Sequence, residues 1–313
     1  LSNTLALKKA PAQIALNTAA DMERQLAATV SPHSPVTAIY TTAHHVSVDG
    51  NTIPYTKLVL AVGADPIRLP LAGDAAEDVL SVNDLSDYQR FRHVLDGQRR
   101  IVILGAGLIG CEFANDLRGA GFDVDVIDPA AQPLGRLLPP QAAGFLRAAL
   151  EAAGVRFHFG TGVRSVAHVA QGIAAVLADG TTLETDLVLS AIGLRPRIDL
   201  ARAAGLTVNR GIVTNALLQT SAADVYALGD CAEVAGFNLP FVMPIMQAAR
   251  ALAKTLHGTP TPVSYPAMPV VVKTPACPTV VCPPPAGVDG AWEESVAADG
   301  VRALFHDSAG TLR

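Results

Sequence analysis

The stretch Arg99 to Pro129, RRIVILGAGLIGCEFANDLRGAGFDVDVIDP, constrains the fold more than any other part of the chain. An apolar strand runs into Gly105-Ala106-Gly107, a helix follows with Gly110 in its first turn, and a second apolar strand ends at Asp128. The glycines differ in what they permit. Gly105 allows the tight turn, Gly107 lets backbone approach a pyrophosphate, and Gly110 lets helix and strand pack closely. Leu108 and Ile109 open the helix, where free backbone N–H groups and the positive helix end receive phosphates. A GxGxxG pattern alone arises by chance in Ala/Gly-rich chains. Here it sits between a strand and a helix, and Asp128 follows 18 residues after Gly110. An acid so placed accepts hydrogen bonds from ribose hydroxyls and repels a 2′-phosphate, which favours NAD over NADP.

At 313 residues the chain is long enough for two or three domains. Half of it is hydrophobic and 16% is charged, as expected of buried parallel strands covered by Ala-rich helices. The net charge of −5 offers no general basic field for nucleic acid or anionic lipid, so neither is expected as a partner. No apolar run reaches the roughly 18 to 20 residues of a membrane span. The four cysteines do not make a secreted disulfide framework, so a soluble protein of the reducing cytoplasm is expected. Leu1 is not Met and the last residues stop shortly after a turn at Asp307 to Gly310, which reads as a fragment.

Strand signals fill residues 34–62, with a turn at Asp49-Gly50-Asn51, and SVNDLSDYQRFRHVLDGQ reads as a short helix. From 101 to about 214, strands 101–104 and 123–128, helices 107–118 and 141–152, VRFHFG, a meander around ADGTTL and DLVLSAIG alternate as in a parallel sheet. A helix is expected from Pro244 to His257, with Pro in its first turn and Gly258 just past its end. Residues 262–313 are Pro-rich and strand-like.

Three more apolar runs end in ligand-loop glycines: LVLAVGADP at Gly63, LVLSAIGLRP at Gly193 and DVYALGD at Gly229-Asp230. Ligands of open α/β sheets bind at such carboxyl edges, and the Asp230 carboxylate there can hold a sugar or ribityl hydroxyl. Glu112, early in the glycine-turn helix, is either a carboxylate favoured by the helix dipole or a group facing the cofactor rings. Lys273, within PVVVKTP, either snorkels to the surface or compensates a buried anion.

Together AVGADP, GAGLIGCE, AIGLRP and YALGD resemble the two-dinucleotide flavoprotein reductases over essentially the whole chain. NDLSDYQRFR, NRGIV, YALGDCAEV, ARALAKTL and above all VKTPACP are similar to the subgroup that feeds electrons to rubredoxin. The resemblance implies an α/β fold of two Rossmann-like domains, for FAD and NAD, the NAD domain inserted in the FAD domain, plus a small C-terminal α+β domain. The implied boundaries are 1–97 and 215–261 for FAD, 98–214 for NAD and 262–313 for a C-terminal interface domain. About 45 to 50 residues carrying a first glycine fingerprint would be missing in front, so weak FAD binding is expected of this polypeptide.

By the same resemblance FAD would meet Val36 through its backbone at the adenine, Gly63, Glu112, Gly229, Asp230 on the ribityl chain, and Val242 and Lys273 at the isoalloxazine. NAD(H) would meet Gly105, Gly107, Leu108, Ile109, Gly110, Asp128 and Gly193. Hydride would pass from NADH to the flavin with no catalytic acid or base from the protein, Glu112 and Lys273 supporting, and electrons would leave singly to rubredoxin. Rubredoxins being acidic, Arg92, Arg99, Arg100 and Arg250 are candidates for a basic docking patch. The same fold also serves ferredoxin or flavorubredoxin reductases, NADH oxidases and disulfide reductases, and a non-enzymatic NADH-sensing flavoprotein is the alternative of another class.

Cys277 and Cys282 share the CxxxxC spacing of a redox disulfide, but a strand between them would hold them some 16 Å apart at about 3.3 Å per residue. A disulfide needs Cα atoms closer than about 7 Å, so these and Cys111 and Cys231 read as packing thiols. The eight histidines show no metal spacing, and His44-His45 reads as a solvated pair beside a hairpin.

Overall fold

The computed structural model describes residues 1–284 and 287–313. They form two compact units, one of residues 1–14, 66–193 and 269–313, the other of residues 15–65 and 194–268.

The first unit is built on a parallel sheet. Its strands are β1 (Leu80–Ser81), β2 (Arg100–Leu104), β3 (Asp123–Asp128), β4 (Val155–Phe159) and β5 (Leu187–Ser190), in the order β1-β5-β2-β3-β4. Helices α1 (Leu85–Leu95), α2 (Leu108–Gly119) and α3 (Pro140–Ala152) supply the crossovers that parallel strands require. Asp84 caps α1 by accepting from the Asp87 N–H at 2.8 Å, and Tyr88, Phe91 and Leu95, one helical face, enter the core against Phe113 of α2. Ile101, Ile103, Val124 and Val126 are buried beneath the helices; β2 reads as a continuous apolar run, whereas β3 alternates Val with Asp123 and Asp125. An antiparallel meander of Val163–Val169, Gly172–Leu177 and Thr182–Thr185 closes over a second cluster with Val102, Leu104 and Val188.

After residue 268 come two hairpins of this unit. Strands β6 (Val270–Val272) and β7 (Thr279–Val281) pair antiparallel, as do β8 (Gly290–Ala297) and β9 (Gly300–Asp307). The turn expected at the chain's end is present, with Gly310 N–H on the Asp307 carbonyl at 2.8 Å and a bridge from His306 to Leu312. Helix enters this region through α3, which packs on β8 and β9. The link between β6 and β7, residues 273–278, is wound tightly, Thr274 Oγ1 donating to the Cys277 carbonyl at 2.8 Å.

The second unit holds the antiparallel sheet Val36–Tyr40, His45–Val48 and Asn51–Pro54, the expected turn falling at Asp49-Gly50 with both φ positive. Leu58–Leu60 pairs parallel with Val225–Ala227, and Ile212–Thr214 with Ala232–Val234. Ile39, Leu60, Ile212, Leu218, Val225 and Leu252 form its core. Its long helix runs Val242–Leu256, two residues earlier than expected at its start; Pro244 is tolerated because first-turn N–H groups have no helical partner anyway.

The units divide the chain differently from the domain boundaries the resemblance implies. Residues 66–97 pack with the glycine-turn sheet because β1 extends it and the apolar face of α1 completes its core. Residues 194–214 belong with the second unit, where Leu206 and Ile212 are buried.

Candidate functional site

At the carboxyl edge of the first sheet, β2 ends at Leu104 and α2 begins at Leu108, with Gly107 as its N-cap. Gly107 has no side chain to cap the helix and α2 has no acidic residue in its first turn, so its positive end is uncompensated. A Cβ on Gly107 would meet nothing within 4 Å, so the space above the turn is open. A Cβ on Gly110 would overlap the Gly105 carbonyl oxygen and stand 3.0 Å from its carbon. Gly105, at φ +100°, has the Ala191 carbonyl oxygen 2.8 Å from where its Cβ would be. Gly107 thus offers an open approach, while Gly105 and Gly110 stand in close packing.

Asp128, the last residue of β3, binds the turn itself. Its Oδ2 accepts from the Ala106 N–H at 2.6 Å and its Oδ1 from the Ala130 N–H at 2.7 Å. Gly193 lies three residues past β5, with φ +114°, two residues from the Ala191 carbonyl against Gly105. Gly105, Gly107, Leu108, Ile109, Gly110, Asp128 and Gly193 are thus brought to one edge of one unit. The uncapped helix start, the open space and the acid at the next strand end fit a dinucleotide. The Thr161 hydroxyl, buried beyond β4 with no hydrogen bond among the described residues, also lies at this edge, where the Gly160 N–H binds the Ala130 carbonyl at 3.0 Å. A single Thr between glycines gives no motif, and sequence reasoning passes over it.

Glu112 is 2% exposed. Its Oε1 accepts from the Lys273 main-chain N–H at 2.9 Å, and its Oε2 from the Ser2 hydroxyl. This is more than a dipole-favoured surface acid: it ties α2 to the link after β6. The Lys273 side chain is exposed, while its carbonyl accepts from Asn3 Nδ2 at 2.9 Å.

The second unit carries the other set. Asp230 follows Gly229, whose φ is +81° and whose Cβ position is open. Asp230 Oδ1 is buried with no hydrogen-bond partner among the described residues, and burial pushes its carboxyl above the usual range. A buried acceptor without a donor is rare in a finished structure, and a ligand hydroxyl is the kind of group that completes it. Gly229, Pro244 and Ile245 line one small hollow, so this strand end adjoins the start of the helix Val242–Leu256. That helix has no acidic residue in its first turn and no side-chain cap, and Val242 is exposed. Val36 opens its strand beside a bulge, and Gly63, at φ +72°, has only the Arg197 guanidinium within 4 Å of a Cβ. Gly229, the unpartnered Asp230 and the uncapped helix start fit the ribityl and ring end of a flavin nucleotide.

All four thiols are free, and Cys111 and Cys277 are buried while Cys282 is exposed. Burial pushes the Cys111 thiol to about 12 and raises that of Cys231, so neither is a thiolate at neutral pH. His44 and His45 stack on Tyr55 and Tyr40. Of the candidate docking arginines, Arg100 is committed to Asp186 at 2.6 Å and Arg92 donates to the Lys9 carbonyl at 2.9 Å; Arg99 is mostly exposed beside Asp123. Arg250 lies in the second unit.

A parallel sheet covered by helices on one face and by a meander on the other, with an uncapped, glycine-opened helix at its carboxyl edge, defines a dinucleotide-binding protein with a second ligand-ready strand end in its other unit. The chain belongs to the pyridine nucleotide-disulphide oxidoreductase family, which it matches over residues 1–255, and residues 262–313 match the rubredoxin binding C-terminal domain. It is 52% identical to a rubredoxin-NAD(+) reductase of Acinetobacter baylyi over 321 residues, covering 100% of this chain and 82% of that protein. It is 41% identical to a nitric oxide reductase FlRd-NAD(+) reductase of Aeromonas hydrophila, covering 100% and 80%. Among solved structures it resembles the ferredoxin reductase for the CYP199A2 system from Rhodopseudomonas palustris, with TM-score 0.86, 27% identity and coverage of 98% and 79%. It also resembles the reductase of a covalent putidaredoxin reductase-putidaredoxin complex, with TM-score 0.87, 29% identity and coverage of 97% and 76%. None of the four candidate arginines lies within residues 262–313.

Proposed function

We propose that this chain is an FAD-dependent NADH oxidoreductase that delivers single electrons to rubredoxin. The observation that carries the reading is the union, in one chain, of the pyridine-nucleotide family match over 1–255 with the rubredoxin binding domain match over 262–313. FAD, when bound, supplies the chemistry, hydride uptake and one-electron release, while the protein supplies binding, orientation and electrostatics.

The roles of the residues follow from their surroundings. The free N–H groups at the start of α2 hold the NADH pyrophosphate, and the open face of Gly107 admits it. Asp128 takes the adenosine ribose hydroxyls and disfavours a 2′-phosphate. In the other unit Asp230 accepts from the ribityl chain, Gly63 and Gly229 let backbone approach, Val36 meets the adenine and Val242 the ring. The uncompensated start of the helix Val242–Leu256 favours negative charge on the flavin. Glu112 and Lys273 support the nicotinamide and flavin end. We assign FAD to the unit holding Val36, Gly63 and Asp230, and NADH to the unit holding Asp128. Four free thiols support a reducing cytoplasmic setting. Among the described residues no helix is long and apolar enough to cross a membrane.

With FAD supplied, NADH oxidation is measured against oxidised rubredoxin, oxidised ferredoxin and a disulfide substrate. Rubredoxin is expected to be reduced fastest. Rapid disulfide reduction without rubredoxin reduction would overturn the reading. The 41% relative from Aeromonas hydrophila supports a second acceptor, the FlRd of its name, and a higher kcat/KM for that protein would select it.

A further inference from the structure

Three polar side chains are buried along one stretch of α2: Glu112 at 2%, Asn115 at 9% and Asp116 at 0% exposure. Buried polar groups are held by hydrogen bonds, and here each accepts from main-chain N–H of a distant segment. Asp116 accepts from Leu5 and Ala6, at 3.1 and 2.9 Å. Glu112 accepts from Lys273, and Asn115 Oδ1 accepts from Ala276 at 3.1 Å. Lys273 opens the link between β6 and β7 and Ala276 lies within it, so α2 grips that link twice.

The second hairpin has its own anchor. Glu294 of β8 caps α3 from outside, its two carboxylate oxygens accepting from the Gln141 and Ala142 N–H groups at 3.2 and 2.8 Å. Those N–H groups are orphans of the helix start, and Pro139, the N-cap, offers no side-chain acceptor. Each hairpin after residue 268 is therefore pinned through polar side chains to one helix of the nucleotide sheet.

We propose that Asn115 and Glu294 are positioning residues for acceptor docking. They hold the two hairpins in one pose on the helices that frame the NADH site. The helix α2 thus fixes the donor nucleotide at its first turn and the acceptor-binding hairpin at its second. The inference rests on the rubredoxin reading above for the identity of the acceptor.

The test uses the 313-residue chain with Asn115→Ala, Asn115→Asp and Glu294→Ala. Labelled oxidised rubredoxin and NADH are titrated separately, and hydrogen exchange is followed at the Ala276 and Ala142 amides. Loss of one such bond should weaken rubredoxin binding about five- to tenfold. Asn115→Asp, which keeps the acceptor oxygen, should restore most of that loss. The NADH Kd should stay within about twofold in all three. A variant that merely unfolded would lose both ligands together. Rubredoxin binding unchanged in both alanine variants would overturn the proposal, as would an Ala276 amide that stays protected in Asn115→Ala. If the parent chain binds no rubredoxin, the functional reading falls with the docking role, while faster exchange at Ala276 in Asn115→Ala still establishes the tether.

Discussion

Gly107→Ala and Gly110→Ala add the same methyl group three residues apart, yet they should fail in different ways. At Gly110 the new Cβ overlaps the Gly105 carbonyl oxygen and lies 3.0 Å from its carbon, and both are backbone. Backbone cannot rotate away, so α2 must retreat from β2 until ordinary contact at about 3.5 Å is restored. Overpacking of this kind costs about 1–3 kcal/mol. At Gly107 nothing stands within 4 Å and the backbone is at φ −74°, which any residue adopts. The folded protein should be unaffected within about 0.5 kcal/mol, as for other unstrained surface changes.

NADH reverses the order of visibility. The Gly107 methyl occupies the space through which the pyrophosphate reaches the helix N–H groups. Losing one or two hydrogen bonds to a charged group, at about 1.5–3 kcal/mol each, weakens NADH by tenfold to more than a hundredfold. Urea unfolding and calorimetric NADH titration on both variants measure the pair. Gly107→Ala should show a parent-like midpoint with weak binding, and Gly110→Ala a lowered midpoint as well as weak binding. A Gly107→Ala variant that binds NADH like the parent would refute the assignment of the open face to the pyrophosphate. A Gly110→Ala variant of unchanged midpoint would refute the packing argument.

Asp128→Ala removes the acceptor of the Ala106 and Ala130 N–H groups and should lower NADH affinity about tenfold while raising the NADPH-to-NADH preference, checked by paired titrations. Asp230→Asn should raise Tm at pH 7 while weakening flavin retention. Burial holds this carboxyl above its unfolded value, so its charged form costs stability above that value, and the gain should vanish at pH below about 3.9, where both states are protonated. Asp125 runs the other way. Burial pushes it up, but the hydrogen bonds from Arg156 and His158 outweigh burial and hold it low, so it contributes stability that is lost as pH falls through its folded pKa. Arg156→Ala should therefore move the acid-unfolding midpoint to higher pH, followed by circular dichroism. At about pH 7.5, well below the Cys111 value, iodoacetamide should alkylate Cys282 fast and leave Cys111 unlabelled until the chain unfolds, counted by mass spectrometry.

The nucleotide sheet was legible in the sequence because its signals are local. Continuous apolar runs at β2 and β5, glycines at fixed spacing and Asp128 at a strand end each state their role within a few residues. Boundaries were less legible where the deciding contact is distant. Nothing near Leu80 says that it will extend a sheet whose next strand in the chain begins at Arg100, and Tyr88 and Phe91 show an apolar face without saying which core receives it. The helix Val242–Leu256 starts two residues ahead of Pro244 because proline is equally at ease anywhere in the first turn and so marks the turn rather than its first residue.

Least legible were the polar residues of α2. Their spacing places Glu112, Asn115 and Asp116 on one side of the helix, and a pattern of apolar periodicity takes such a side for the solvated one. It is in fact buried, because the N-terminal residues and the link after β6 cover it with main chain. Main-chain N–H groups present no residue type for a sequence pattern to register, so a face built to bind them looks like a face built for water. The same reasoning separates Glu112 from Glu294. Glu294 caps a helix that is not its own, whereas Glu112 sits within the helix it leaves uncapped. The positive end of α2 therefore stays free for a ligand, while that of α3 is spent on holding a hairpin in place.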